Sequence, residues 1–177
     1  MLRVPVMLAL ILCNFVLQTT LIPELAIFGV TPDTAIIFIA GYAILRGEVE
    51  GAIFGLATGL VQDLHGGMYI GLYAMLGLII GYVCGKPFRD YMKENFLLPL
   101  FVVLGAVLAH QLMLFVSSFM FMGQLNLLYY LRAIILPKIV YTAVLTIPLY
   151  SLLHVINSGV ESFEGKRRHM FTEDETP

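Results

Sequence analysis

The sequence predicts an all-α integral membrane protein: one compact bundle of six transmembrane helices with both termini in the cytoplasm. Three observations predict it. The composition is 59% hydrophobic and only 12% charged, with mean hydropathy +0.90, whereas a soluble domain carries about 25% charged residues. Apolar stretches follow one another along the 177 residues, several near the roughly 20 residues that a spanning helix needs. The basic residues are also grouped. Of ten Lys and Arg, all but two stand at Arg3, at Arg46, at Lys86, Arg89 and Lys93, and at Lys166, Arg167 and Arg168. Cytoplasmic loops of membrane proteins hold an excess of Lys and Arg, so these four stations mark the inside and the apolar segments between them pair out and back. Arg132 and Lys138 stand apart at the start of the last apolar segment, where long side chains reach the interface.

The expected transmembrane domain covers residues 1–157. Its first helix spans residues 4–22. Arg3 and an apolar stretch open it, but no small-residue cleavage site follows, so it reads as a retained helix and not a signal peptide. Asn14 and Gln18, four apart, share one face of it, which should point at protein and not at lipid. An external loop opens at Pro23-Glu24 and closes at Thr31-Pro32-Asp33, with proline in the first helical turn and Thr31 as cap. Helices two (33–46) and three (49–63) have only short runs of clean hydrophobicity. Extended through Arg46, Glu48 and Glu50 they reach a plausible crossing length; the alternative is a re-entrant hairpin buried in protein. Helix four covers residues 69–85. An amphipathic basic stretch, Lys86 to Lys93, then lies on the cytoplasmic surface. Helix five covers 96–121, Tyr129 and Tyr130 mark the opposite interface, and helix six covers 132–155, bent by Pro137 and Pro148. The polar cytoplasmic tail, 158–177, is too hydrophilic to bury a core and is expected to be disordered.

Gly51, Gly55 and Gly59 recur every four residues, and so do Gly77, Gly81 and Gly85. Each series makes a smooth face that admits a second backbone. Two such series in successive helices predict that helices three and four pack closely, and one groove is also a candidate seat for a partner's helix. Asp63 ends the first ladder, where it either serves capping and turn chemistry near the external interface or makes a charged contact with a partner. His110 and Gln111 in helix five suit an interhelical hydrogen bond. Lys138, Thr142 and Thr146 form a polar stripe on helix six, and Lys138 has both Asp33 and Asp63 as possible counterions.

Several classes find no support. The chain has no phosphate loop with its lysine, no HExxH, no nucleophile elbow and no cysteine pair at metal spacing, so neither an enzyme nor a metal or other cofactor is expected. Cys13 and Cys84 lie inside apolar segments as small hydrophobes. With formal charge -2 and no basic face beyond the short stations, nucleic acid is not an expected partner.

The middle of the chain resembles a known family. Thr31-Pro32-Asp33, then Leu45-Arg46-Gly47-Glu48-Val49-Glu50-Gly51, then Gly55, Gly59 and Asp63 at intervals of four, then Gly66-Gly67 and Gly71-Leu72-Tyr73-Ala74, resemble the rod shape-determining MreD family. The likeness is specific from Thr31 to Gly85; elsewhere only hydrophobicity and position agree. It implies a multi-pass protein of the bacterial cytoplasmic (inner) membrane, with a fold like the six-helix substrate-binding subunits of energy-coupling-factor vitamin transporters. It further implies a non-enzymatic scaffold that supports lateral peptidoglycan synthesis and rod shape. The implied partners are MreC, through its membrane helix and periplasmic domain, the MreB cytoskeleton, RodA and a class B penicillin-binding transpeptidase. On this view Gly55, Gly59 and Asp63 contact the partner. Asp33, Arg46, Glu48, Gly51, Gly71, Gly77, Gly81 and Gly85 fix turns and helix packing. The competing expectation is a small-molecule-binding transporter subunit, whose pocket would draw on Asn14, Gln18, His110, Gln111 and Lys138.

Overall fold

The computed structural model describes residues 3–21, 24, 31–66, 71–86, 97–122 and 131–173. Among them it has six α-helices and no strand: α1 (Arg3–Val16), α2 (Thr34–Arg46), α3 (Glu48–Gly66), α4 (Leu72–Gly85), α5 (Leu97–Met122) and α6 (Leu136–Glu173). Single π-helical turns extend α1 (Leu17–Leu21) and precede α6 (Leu131–Ile135). Pro23, Gly67, Tyr69, the surface stretch from Pro87 to Lys93, Tyr129, Tyr130 and the last four residues lie outside the described residues.

The molecule turns apolar side chains outward as well as inward. Along α1 the exposed large apolar residues are Val4, Leu8, Leu12 and Val16, a stripe of period four; α3 exposes Val49, Ile53, Leu56, Leu60 and Leu64, and α6 exposes Val140, Val144, Ile147 and Val155. The buried positions include Asn14, Asp33, Thr34, Thr58, Asp63, His110, Gln111, Thr142 and Thr146. An apolar exterior around polar interior contacts is what a lipid solvent selects. In α5 and α6, residues 99–117 and 136–159 are long and apolar enough to cross a membrane. Residues 4–20, α2 and α4 are apolar but shorter.

Helix α2 is the axis of the bundle. Every residue from Thr34 to Ile44 is buried, and Ala35, Ile36, Ile37, Phe38, Ala40 and Ala43 have no exposed surface. A helix hydrophobic all round must be enclosed, and α1, α3, α4, α5 and α6 all pack against this one. It is joined to α3 by one residue. Gly47 has φ +102°, a conformation that side-chain-bearing residues rarely adopt. Its N–H donates to the Ala43 carbonyl at 2.7 Å, and its carbonyl accepts from Gly51 N–H at 2.9 Å. Arg46 in the last turn of α2 and Glu48 and Glu50 in the first turn of α3 suit the dipoles of the helix ends they occupy.

Two expectations are corrected. Asp33, and not Thr31, is the N-cap of α2: its Oδ1 accepts from Ile36 N–H at 3.5 Å. The sixth helix does not end near Val155 but continues to Glu173, so the tail expected to be disordered is largely helical. Falling hydropathy marks the end of lipid contact, not the end of a helix, and no proline interrupts the chain between Pro148 and Pro177. Pro137 stands just after the π-helical turn at the start of α6, where its missing N–H and ring interrupt the regular ladder; Pro148 lies inside the helix.

Candidate functional site

Three features stand out: the α3–α4 glycine contact, a buried charge node on α2, and two clefts. The glycine ladders face each other. A Cβ on Gly55 would run into the Gly77 carbonyl, one on Gly59 into the Tyr73 carbonyl, and one on Gly81 into the Gly51 carbonyl. At Gly51 it would lie 2.5 Å from the Ala43 Cβ, so this end of the ladder touches α2 as well. At Gly85 it would lie 2.5 Å from Glu48 N, which locks the end of α4 onto the Gly47 turn. Backbone therefore lies against backbone along the whole contact, and the close approach collects dispersion energy that larger residues would prevent.

Asp63 completes this contact. Its Oδ1 accepts from Tyr73 N–H at 3.1 Å and its Oδ2 from Ala74 N–H at 3.0 Å. These are otherwise orphaned donors of the first turn of α4, so the carboxylate of one helix caps the next and suits its positive end. Gly71, with φ +97°, brings the chain into that turn. The groove at Gly55 and Gly59, a candidate both for internal packing and for a partner's helix, is occupied by α4, and Asp63 caps that helix. Gly51, Gly77, Gly81 and Gly85 lie in the same contact, and Arg46 and Glu48 flank the turn.

The charge node gathers three helices on one carboxylate. Asp33 Oδ2 lies 3.3 Å from Lys138 Nζ on α6 and 3.3 Å from His110 Nδ1 on α5. The His110 contact has the distance of an ion pair but not the angles of a hydrogen bond. Asp33 N–H donates to Thr142 Oγ1 at 3.4 Å, and the Thr142 hydroxyl donates to the Lys138 carbonyl at 2.7 Å. Thr146 repeats that bond one turn on, to the Thr142 carbonyl. Lys138 accordingly chooses Asp33 over Asp63. The Tyr73 ring lies 5.9 Å from His110, which connects the node to the capped end of α4. Gln111 Nε2, expected in an interhelical bond, has no partner among the described residues.

One cleft, about 360 Å³, runs between α4 and α5 and is lined by apolar or small residues that include Val83, Cys84, Gly105, Ala106 and Ala109. Gly105 differs from the ladder glycines, since a Cβ built there meets nothing within 4 Å. The other cleft, about 190 Å³, is bounded by Phe15, Gln18, Thr19, Gln62, His65 and Tyr73, at the end of the bundle opposite the Gly47 turn. Sequence reasoning singled out Gln18 but missed this grouping, because its members come from three helices. It missed Gly105 because one glycine in an apolar helix has no periodicity. Among the described residues, no group of three or more His, Cys, Asp or Glu side chains is placed to hold a metal ion.

A family model described as rod shape-determining protein MreD matches residues 1–156. No curated protein and no solved structure matches the chain.

Proposed function

Since the chain belongs to the rod shape-determining protein MreD family, we propose that it is a non-enzymatic membrane scaffold of the bacterial elongation machinery. In this reading it sits in the inner membrane with six crossings and both termini in the cytoplasm, an arrangement like that of energy-coupling-factor substrate-binding subunits. The four basic stations support that orientation, and the short helices α2 and α4 are accommodated because protein encloses much of their surface. The scaffold holds MreC and, with it, MreB, RodA and the class B transpeptidase, so that lateral peptidoglycan synthesis keeps a rod.

One observation carries the choice of contact surface: the ladder glycines are filled from within, while Gly105 opens onto space beside the α4–α5 cleft. Gly105 and Ala109 stand one helical turn apart and form a small-residue face of the kind membrane helices pack against. MreC's membrane helix seats there. Gly105→Leu should abolish co-purification with MreC at equal expression, whereas Leu8→Ala, on the exposed stripe of α1, should leave it intact. If Gly105→Leu retains MreC fully, the contact lies elsewhere.

A further inference from the structure

The cleft at the far end of α1 has a chemistry that the scaffold role does not use. It is bounded by the π-helical turn of α1, the C-terminal end of α3 and the first turn of α4. A π turn leaves the regular hydrogen-bond ladder and recurs at functional sites; here it carries Gln18 and Thr19, both lining the cleft. Gln62 Nε2–H donates to Gln18 Oε1 at 3.1 Å. A carboxamide offers two donors and an acceptor oxygen with two lone pairs. Among the described residues the pair therefore leaves the Gln18 amide N–H groups, the second Gln62 N–H and the Gln62 carbonyl oxygen for a ligand. The Thr19 hydroxyl donates to the Phe15 carbonyl at 2.9 Å and keeps its lone pairs. His65 is fixed edge-on to Phe15, with ring centroids 5.2 Å apart at 87°.

Among the described residues no Asp, Glu, Lys or Arg lines the cleft, whose polar groups are the Gln18 and Gln62 amides, the Thr19 hydroxyl, the His65 imidazole and the Tyr73 ring's hydroxyl, so it offers no permanent charge to balance a phosphate, carboxylate or ammonium group. Donors and acceptors alternate beside two aromatic rings, Phe15 and Tyr73. Its complement is a neutral ring with hydroxyls around its edge and C–H bonds on its face. The volume, about 190 Å³, is below the roughly 300 Å³ at which drug-sized sites begin, which limits the occupant to a single ring. We propose that this cleft is a binding site for one neutral hexopyranose ring, with Gln18 and Gln62 reading its hydroxyls and Phe15 and Tyr73 packing against its face. The same chemistry is offered by a free sugar and by the sugar headgroup of a glycolipid. The proposal is independent of MreC binding, since the two clefts share no lining residue.

The test is saturation-transfer NMR on the full chain in phosphatidylcholine nanodiscs, irradiating protein aromatic protons. The free-sugar probes are the methyl glycosides of glucose, galactose and 2-acetamido-2-deoxyglucose; the lipid-borne probes are the corresponding dodecyl glycosides, with dodecylphosphocholine as the chain-only control. Transfer to the ring C–H protons of a methyl glycoside, weakened about tenfold or more in affinity by Gln62→Leu, supports a free-sugar site. Saturable transfer confined to a dodecyl glycoside and lost in the same variant supports a glycolipid headgroup site. Gln18→Asn, which keeps the amide but withdraws it, serves as the second variant where Gln62→Leu does not fold. Wild-type protein that shows no ring transfer with any glycoside, or transfer that a folded variant leaves unchanged, overturns the proposal.

Discussion

Asp33→Ala should be among the most destabilising single changes in this chain. The carboxylate has a side chain only 6% exposed and lies 3.3 Å from a Lys138 that is itself 18% exposed. At an effective dielectric near 20, charges at that separation attract by about 5 kcal/mol, and the desolvation of both ions offsets much of it. The cost of the substitution comes from what remains: a lysine held in the bundle with no counterion, and His110 stripped of the same carboxylate. Breaking a buried pair from one side costs about 3–5 kcal/mol. Lys138 is not fully enclosed and its stem can swing toward the interface, which places the expected loss near 3 kcal/mol. An ordinary interhelical hydrogen bond in a membrane protein contributes about 0.6 kcal/mol, so the two classes of effect separate clearly. The assay is reversible unfolding in mixed micelles for Asp33→Ala, Lys138→Met and the double variant. The double variant should lose less than the two single losses added together, with a coupling of about 2 kcal/mol or more. Additivity within about 0.5 kcal/mol, or an Asp33→Ala loss below 1 kcal/mol, would refute the idea that this carboxylate holds α2, α5 and α6 together.

Three further outcomes follow from the same geometry. Gly55→Ala forces a methyl group into the Gly77 carbonyl, so α3 and α4 must part; the expected loss is about 1–3 kcal/mol by the same unfolding assay, whereas Gly105→Ala, facing open space, should cost less than 0.5 kcal/mol. Asp63→Ala leaves Tyr73 N–H and Ala74 N–H without their acceptor and should cost about 1–2 kcal/mol, with faster amide exchange confined to the first turn of α4. Gly47→Ala forces a side chain into a positive-φ, extended backbone that is essentially glycine's alone, although space is free there, and should cost about 1–3 kcal/mol by the same assay.

The glycine ladders were legible in the sequence because backbone contact leaves a period that survives in the letters: only glycine fits, and it must recur once per turn. The Gly47 turn was legible for a similar reason, since a basic residue, a glycine and an acidic residue between two apolar runs match the needs of abutting helix ends. The charge node was not legible. Asp33 and Lys138 are far apart in sequence, Asp63 offered the same charge, and no local pattern distinguishes a carboxylate that caps its own helix from one that caps the next. A capping role for Asp63 was legible at the end of its ladder, but not that it caps α4 across the turn, because cap signals are read from residues adjacent to a helix start. The helical continuation of α6 was hidden because hydropathy reports the solvent a helix meets, whereas backbone propensity decides whether the helix continues.

In the proposed scaffold role, the arrangement of glycine, charge and open groove lets the protein be rigid and still receive a helix. A membrane protein gains little from apolar burial between helices, since lipid is as apolar as the side chains. Uniqueness must then come from contacts that lipid cannot replace. Backbone against backbone along α3 and α4 is one such contact, and a carboxylate shared by α5 and α6 at the head of α2 is another. Between them they fix five of the six helices, and neither draws on the small-residue face around Gly105. Under the proposed assignment, that face would exchange lipid for a partner's helix without loosening the core. This division explains why one added methyl group should cost far more at Gly55 than at Gly105.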